Sequence, residues 1–133
     1  MSNHNLEIGS VLSCTKIFVQ EDYDRFAKLS GDHNPIHVDP EFSANTRFGR
    51  TVSHGMLLYS VLRSLLQDKL GTVRQHSQNL MFTAPTFCGD NMVFNWTVTE
   101  VDGNHLSLDA EIVREKDGEV VTTGSTVIEV LGA

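Results

Sequence analysis

The segment 53–70 constrains the fold most, because it reads as a helix that is apolar on more than one face. Met56, Leu57, Leu58, Val61, Leu62, Leu65, Leu66 and Leu70 cover well over half of its circumference. A helix on the surface of a globular domain keeps a polar face of comparable width. This one therefore has to be surrounded by other elements. Ser53 is the expected N-cap and Gly71 the stop. Ser60, Arg63 and Ser64 interrupt the apolar run, which is thereby too polar to span a membrane.

What surrounds the helix is written after Gly71, where the pattern changes to a period of two. Met92, Phe94, Trp96 and Val98 alternate with Val93, Asn95, Thr97 and Thr99, as in a strand with one buried face. Strands are expected near 73–86, 91–101, 104–115 and 119–130. Asp102-Gly103-Asn104 and Lys116-Asp117-Gly118 supply turns at hairpin spacing. Upstream, 11–19 reads as a further strand around Ile17, Phe18 and Val19. Five strands and one long buried helix suggest an α+β fold in which an antiparallel five-stranded sheet wraps around the central helix. That is the hot-dog fold, although other α+β arrangements satisfy the same periodicity. A chain of 133 residues can bury one core unaided, and no linker, repeat or low-complexity tract divides it, so 1–133 is expected to be a single domain.

Charge and cysteine usage narrow the function. Ten Lys and Arg stand against 17 Asp and Glu, for a net charge of −7, with no basic cluster of the kind a nucleic-acid surface needs. The start MSNHNLEIGS has neither the basic opening nor the apolar run of a signal peptide. Cys14 and Cys88 are too few and too far apart for a disulfide framework or a zinc site, and are expected to be small, buried or half-buried residues. A reducing cytoplasm is the expected compartment, with an organellar address after loss of a presequence left open.

Between the first strand and the long helix lies the segment with chemistry in it. A helix over 21–29 carries an apolar stripe of Tyr23, Phe26, Ala27 and Leu29, acidic Glu21 and Asp22 in its first turn, and Gly31 at its end. Gly31-Asp32-His33-Asn34-Pro35-Ile36-His37-Val38-Asp39-Pro40 follows. It is expected to be neither regular helix nor central strand, because each proline biases the residue before it away from the helical region. Asp39 as N-cap and Pro40 at the first position begin a second short helix, expected to run to Phe48 and stop at Gly49. By composition alone Asp32 is an ordinary turn residue. His33 and His37 are four apart, but Pro35 prevents a helical pair and no third or fourth ligand presents itself, so no metal site is expected.

Three stretches together resemble one family. They are Phe26 to Asp39 with its Asp-x-Asn-Pro-x-His core, Ser53-His54-Gly55-Met56-Leu57 at the head of the long helix, and Leu80-Met81-Phe82-Thr83-Ala84-Pro85 with Gly89-Asp90. In this order they resemble the MaoC-like family of (R)-specific enoyl-thioester hydratases and 3-hydroxyacyl-thioester dehydratases. The resemblance implies the hot-dog fold, a homodimer or higher homo-oligomer, an active site near the dimer interface, and Asp32 and His37 as the catalytic pair. It implies an acyl-coenzyme A or acyl-carrier-protein thioester as substrate, coenzyme A entering only as part of that substrate, with no redox or metal cofactor.

The chemistry suits such residues. A carboxylate and an imidazole sharing one water can take its proton and return it to carbon, a role worth about 10²–10⁴-fold in rate. The thioester oxygen needs a separate donor. Gly55 lies in the first turn of the long helix, where main-chain N–H groups are unpaired, and its N–H is assigned the oxyanion role. Asn34 is expected to brace the Pro35 turn. His54 is a candidate substrate-binding residue, with a structural part at the helix start as its other reading. Arg47, Arg50, Lys69 and Arg74 are candidates for coenzyme A phosphates, each equally readable as a solvated surface charge.

Two departures from the family pattern bear on the acyl pocket. A helix serine that some members carry is matched here by Arg63, and the chain passes from Leu70-Gly71 directly to Thr72-Val73. Both leave acyl-chain preference open. A thioesterase of the same fold would place a carboxylate on the central helix facing the thioester, and the helix has only Asp68, near its far end. A non-catalytic acyl-thioester binder could dispense with Asp32 or His37, and both are present.

Overall fold

In the computed structural model, which describes residues 3–132, the period-two segment is strand β3 (Asn91–Asp102). Met92, Phe94, Trp96 and Val98 form its buried face. Met1, Ser2 and Ala133, the ends of the expected domain, lie outside the described residues. The other strands are β1 (Val11–Ile17), β2 (Thr72–Phe82), β4 (His105–Arg114) and β5 (Glu119–Gly132). All pair antiparallel in the order β1-β3-β4-β5-β2. The two hairpins join neighbours in sequence, β3 to β4 and β4 to β5. The N-terminal strand and the strand after the long helix take the two edges.

The long helix is α4 (Gly55–Leu70), and it lies on the apolar face of this sheet. Leu58, Leu62, Leu65 and Leu66 are its buried residues, about one per turn, packed with Trp96, Phe94 and Ile112 in one core. Trp96 Nε1 donates to the Leu62 carbonyl at 2.8 Å, which pins the middle of the helix to β3. The helix is less enclosed than its sequence suggests. Met56 is 54% exposed, and Ser60, Ser64, Gln67, Asp68 and Lys69 face solvent. A single sheet covers one side of a helix, and the short helices cover only part of the rest. Among the described residues, no helix is long and apolar enough to cross a membrane.

Helix α1 (Gln20–Ser30) ends as expected, with Gly31 in the left-handed region at φ 83° and its N–H on the Ala27 carbonyl. Its first turn is tied by the Asp22 carboxylate, which accepts from Val19 N–H at 2.8 Å. Three local expectations change. The proline segment contains one turn of helix, α2 (Pro35–Val38), because Asn34 Oδ1 accepts the Ile36 N–H and Pro35 sits where its missing donor is not needed. Helix α3 (Pro40–Ala44) begins at the Asp39 cap but stops well short of Phe48. There the Thr46 N–H and hydroxyl both turn back to the Ser43 carbonyl and replace the helical ladder. The N-cap of α4 is His54 rather than Ser53, whose hydroxyl donates to the neighbouring His54 carbonyl.

Candidate active site

Between α1 and α4 the chain is braced by its own short side chains. Ser30 Oγ accepts from Asp32 N–H (3.1 Å), Asp32 Oδ1 from Asn34 N–H (3.3 Å), and Asn34 Oδ1 from Ile36 N–H (3.1 Å). These successive turns deliver Asp32 and His37 to one place. His37 is then fixed from three directions. Its carbonyl accepts from Gln20 Nε2 at 2.9 Å, its Nδ1 lies 2.8 Å from the Val52 carbonyl, and its ring stacks on His54 at 3.9 Å between centroids.

The Val52 contact decides the tautomer of His37. A carbonyl oxygen only accepts, so Nδ1 carries the hydrogen and Nε2 of the neutral ring is left with a bare lone pair. That nitrogen faces Asp32 Oδ2 at 3.7 Å. The His37 side chain is 10% exposed and that of Asp32 is 52% exposed, so the pair is buried at one end and open at the other.

His54 is placed to position this pair. Its Nε2 donates to the Asp32 carbonyl at 3.0 Å, while its ring lies between His37 and the edge of Phe26. The ring is 2% exposed, and Nδ1 has no hydrogen-bond partner among the described residues. Burial pushes its pKa below the ordinary histidine value, the Asp32 carbonyl opposing that shift and nearby His37 adding to it. A lowered folded-state pKa means that the unfolded chain takes up the proton first as pH falls. Stability from this group is full above about pH 6.5, the unfolded value, and is lost as pH falls toward the folded one. Between pH 7 and 5 the melting temperature of the native chain should therefore fall more steeply than that of His54→Asn. Parallel pH profiles from calorimetry would reject this role for the buried ring.

Asp32, His37 and His54 bring donor atoms within 4.8 Å of one another. The nitrogens bonded to carbonyls, His37 Nδ1 and His54 Nε2, hold protons, which leaves a lone pair on the opposite nitrogen of each ring. A carboxylate facing the bare nitrogen of His37 suits proton transfer. His33 is exposed.

Gly55 opens α4 directly beside the pair, and the ring of Phe82 at the end of β2 lies on it. A Cβ at position 55 would stand 2.9 Å from that ring. Gly55 and Phe82 form the ridge between two clefts. One, of about 340 Å³, is lined by His37, Arg47, Val52 and Leu58, and the other, of about 280 Å³, by Asp32, His54, Met56 and Phe26. Of the four basic candidates for coenzyme A phosphates, Arg47 reaches the His37 cleft. Arg50 lies over the Phe87 ring and Arg74 pairs with Glu129. Arg63 lines a separate groove with Ser60, Ser64, Gln67 and Asp68.

Two supporting residues escaped the sequence reading. Gln20, which also accepts from the Thr51 hydroxyl at 2.7 Å, has no pattern around it that signals a contact with His37. Phe82 belongs to a stretch that carries the family resemblance, but its place over Gly55 follows from where β2 ends. Cys14 and Cys88 are free and half-buried, as expected.

Comparison with known proteins identifies the family. The family described as MaoC like domain matches residues 7–126. The chain belongs to the MaoC-like family. This MaoC-like domain is 36% identical to an (R)-specific enoyl-CoA hydratase of Aeromonas caviae, over 97% of this chain and 98% of that protein. It is 34% identical to a mitochondrial 3-hydroxyacyl-[acyl-carrier-protein] dehydratase of Arabidopsis thaliana, over 66% of this chain and 53% of the other. Among solved structures, an (R)-hydratase from A. caviae superposes with a TM-score of 0.89 at 34% identity, covering 94% of this chain and 97% of that one. The five-stranded sheet and central helix are thus the hot-dog fold of this MaoC-like domain.

Proposed function

We propose that this chain is a hydro-lyase that adds water to a trans-2-enoyl-coenzyme A, giving the (R)-3-hydroxyacyl thioester, and catalyses the dehydration in reverse. The observation that carries the reading is the pair of facing acceptors, Asp32 Oδ2 and His37 Nε2, at 3.7 Å. Two acceptors so close together suit one water that donates a hydrogen to each and turns its lone pairs outward. Its oxygen attacks the β-carbon as one of the pair takes a proton. That proton is returned to the α-carbon on the same face, so the elements of water add across the double bond and nothing else is consumed. Asn34, Gln20 and His54 hold the pair in place. The Aeromonas relative supports the (R) product and coenzyme A as carrier. The Arabidopsis relative favours, as a second reading, dehydration of a 3-hydroxyacyl-carrier protein. A net charge of −7 is unfavourable for docking an acidic carrier protein. Asp68, the carboxylate a thioesterase reading would call on, is exposed and 13 residues along the helix from Gly55, roughly 20 Å away.

The acting species is a homodimer. Met56 and Phe82 leave an apolar surface beside Gly55, and a second copy covering it would complete the clefts. The assay is the loss of enoyl-thioester absorbance with crotonyl-coenzyme A, with chiral analysis of the product and light scattering on the same sample. Rapid loss giving the (R)-3-hydroxy product is expected. Turnover of the carrier-protein thioester alone would favour the second reading, and inertness toward both carriers at short and medium chain length would end the proposal.

The oxyanion role of the Gly55 N–H has its own test. Gly55→Pro removes that N–H at the first helical position, where proline is tolerated. His54, at φ −60° and ψ 136°, already has the conformation a residue before proline requires. Because any Cβ here meets Phe82, the comparison is made in a Phe82→Ala background. Gly55→Ala/Phe82→Ala keeps the donor and should retain most of the activity of Phe82→Ala. Gly55→Pro/Phe82→Ala should lose about 10²–10³-fold in kcat. Equal rates in the two double variants would remove Gly55 from the mechanism.

A further inference from the structure

The described residues hold a second cluster of ligating side chains, on the outer face of the sheet and distinct from the Asp32–His37–His54 group. We propose that His76, His105 and Glu129 form a binding site for a divalent transition-metal ion of the zinc type. Strand β5 runs between β4 and β2, and Glu129 pairs in register with His105 on one side and Arg74 on the other. Its neighbours Ile128 and Val130 are buried, so Glu129 points away from the core. The β2–β5 register shifts between Gln75 and Ser77, leaving His76 as the extra residue of a bulge. A bulge re-aims a side chain that strict alternation would send elsewhere. Here it puts the His76 imidazole on the same face as Glu129.

The distances are close to those of a three-ligand site. Glu129 Oε1 lies 3.5 Å from His76 Nε2 and 3.9 Å from His105 Nε2, and the three donor atoms are all within 4.8 Å of one another. The two imidazoles stack at 5.6 Å with an interplanar angle of 19°. Tetrahedral zinc, bonded to nitrogen and oxygen at ~2.0–2.1 Å, separates neighbouring ligands by roughly 3.3 Å. Small side-chain rotations close the difference, with water in the fourth position. Two imidazoles and one carboxylate select zinc, nickel or copper over calcium and magnesium, which take oxygen ligands. The ligands stand on three strands already hydrogen-bonded to one another, so binding orders no loop. One cation already touches the carboxylate, Arg74 Nη1 at 3.2 Å from Oε1, and its side chain is 61% exposed and able to withdraw into solvent or move to Oε2. A bound ion ties the edge strand β2 to β5 and β4.

The test is calorimetric titration of the chelator-treated full chain with zinc chloride, beside His76→Ala, His105→Ala and His37→Ala. Saturable binding near one ion per chain is expected. It should weaken at least tenfold in His76→Ala and in His105→Ala and remain intact in His37→Ala. Zinc should raise the melting temperature of the native chain and of His37→Ala only. Both surface histidines are exposed, so zinc-free melting temperatures close to that of the native chain check the fold. No binding, binding that survives both surface substitutions, or binding lost in His37→Ala would each overturn the site.

Discussion

Replacing Asp32 by Asn should lower hydration of crotonyl-coenzyme A by about 10²–10⁴-fold while leaving the fold intact. The substitution is nearly isosteric, and an Asn oxygen can still accept the Asn34 N–H that Asp32 Oδ1 holds at 3.3 Å. What it destroys is the second acceptor. The new amide NH₂ faces His37 Nε2 and can donate to it, so one change removes the carboxylate and occupies the imidazole lone pair. His37→Ala should fall in the same range, because it removes the nitrogen whose lone pair the Val52 contact leaves free. It also takes away the ring that stacks on His54, so its circular dichroism and melting temperature belong with the rate. The double variant is the sharper measurement. If both residues act on one water, Asp32→Asn/His37→Ala should be no slower than the slower single variant, since the second loss removes a function already gone. Multiplying losses would mean that the two serve separate steps, and a decline under about tenfold in both single variants would reject the pair.

The largest expected effect on stability is at Trp96. Its side chain is fully buried on the apolar face of β3 and donates to the Leu62 carbonyl. Trp96→Ala leaves a large cavity and an unanchored helix, at a cost of about 3–5 kcal/mol. That is a large share of the ~5–15 kcal/mol that holds a domain folded. Trp96→Phe keeps most of the ring volume and loses the hydrogen bond, so its cost should be well below that of the alanine variant. Trp96 is the chain's one tryptophan, so denaturant unfolding should be followed by far-ultraviolet circular dichroism rather than fluorescence. Equal costs for the two variants would mean that the hydrogen bond, not the packed volume, anchors α4. A cost under about 1 kcal/mol for Trp96→Ala would remove Trp96 from the core's energetics altogether.

Both predictions concern residues visible in the sequence, for different reasons. Trp96 stood out because alternation is a local property. Strand geometry sends successive side chains to opposite faces, so Met92, Phe94, Trp96 and Val98 mark a buried face wherever the strand goes. Asp32 and His37 stood out because the Asp-x-Asn-Pro-x-His stretch resembles the MaoC-like pattern, since by composition alone Asp32 is an ordinary turn residue. The α2 turn went unforeseen because Pro35 was read as a breaker, whereas at the first helical position it is a starter. The end of α3 was set by the Thr46 hydroxyl, a side-chain contact that no periodicity encodes.

Periodicity and short-range capping thus determined the element types and the apolar face of α4, while the two residues of the catalytic reading came from the family resemblance. Those signals act over one or two turns of chain, and a sequence carries them without knowing its path in space. Only the tertiary structure decided which strands became edges, how far α4 is covered and what each imidazole nitrogen does. The tautomer of His37 depends on the Val52 carbonyl, 15 residues away, and the Asp32 backbone is held by His54, 22 residues away. The ring on Gly55 comes from the far end of β2, and His76 joins Glu129 only because the β2–β5 ladder slips by one residue. Each is a contact between distant segments, and such contacts exist only once the sheet has closed around its helix.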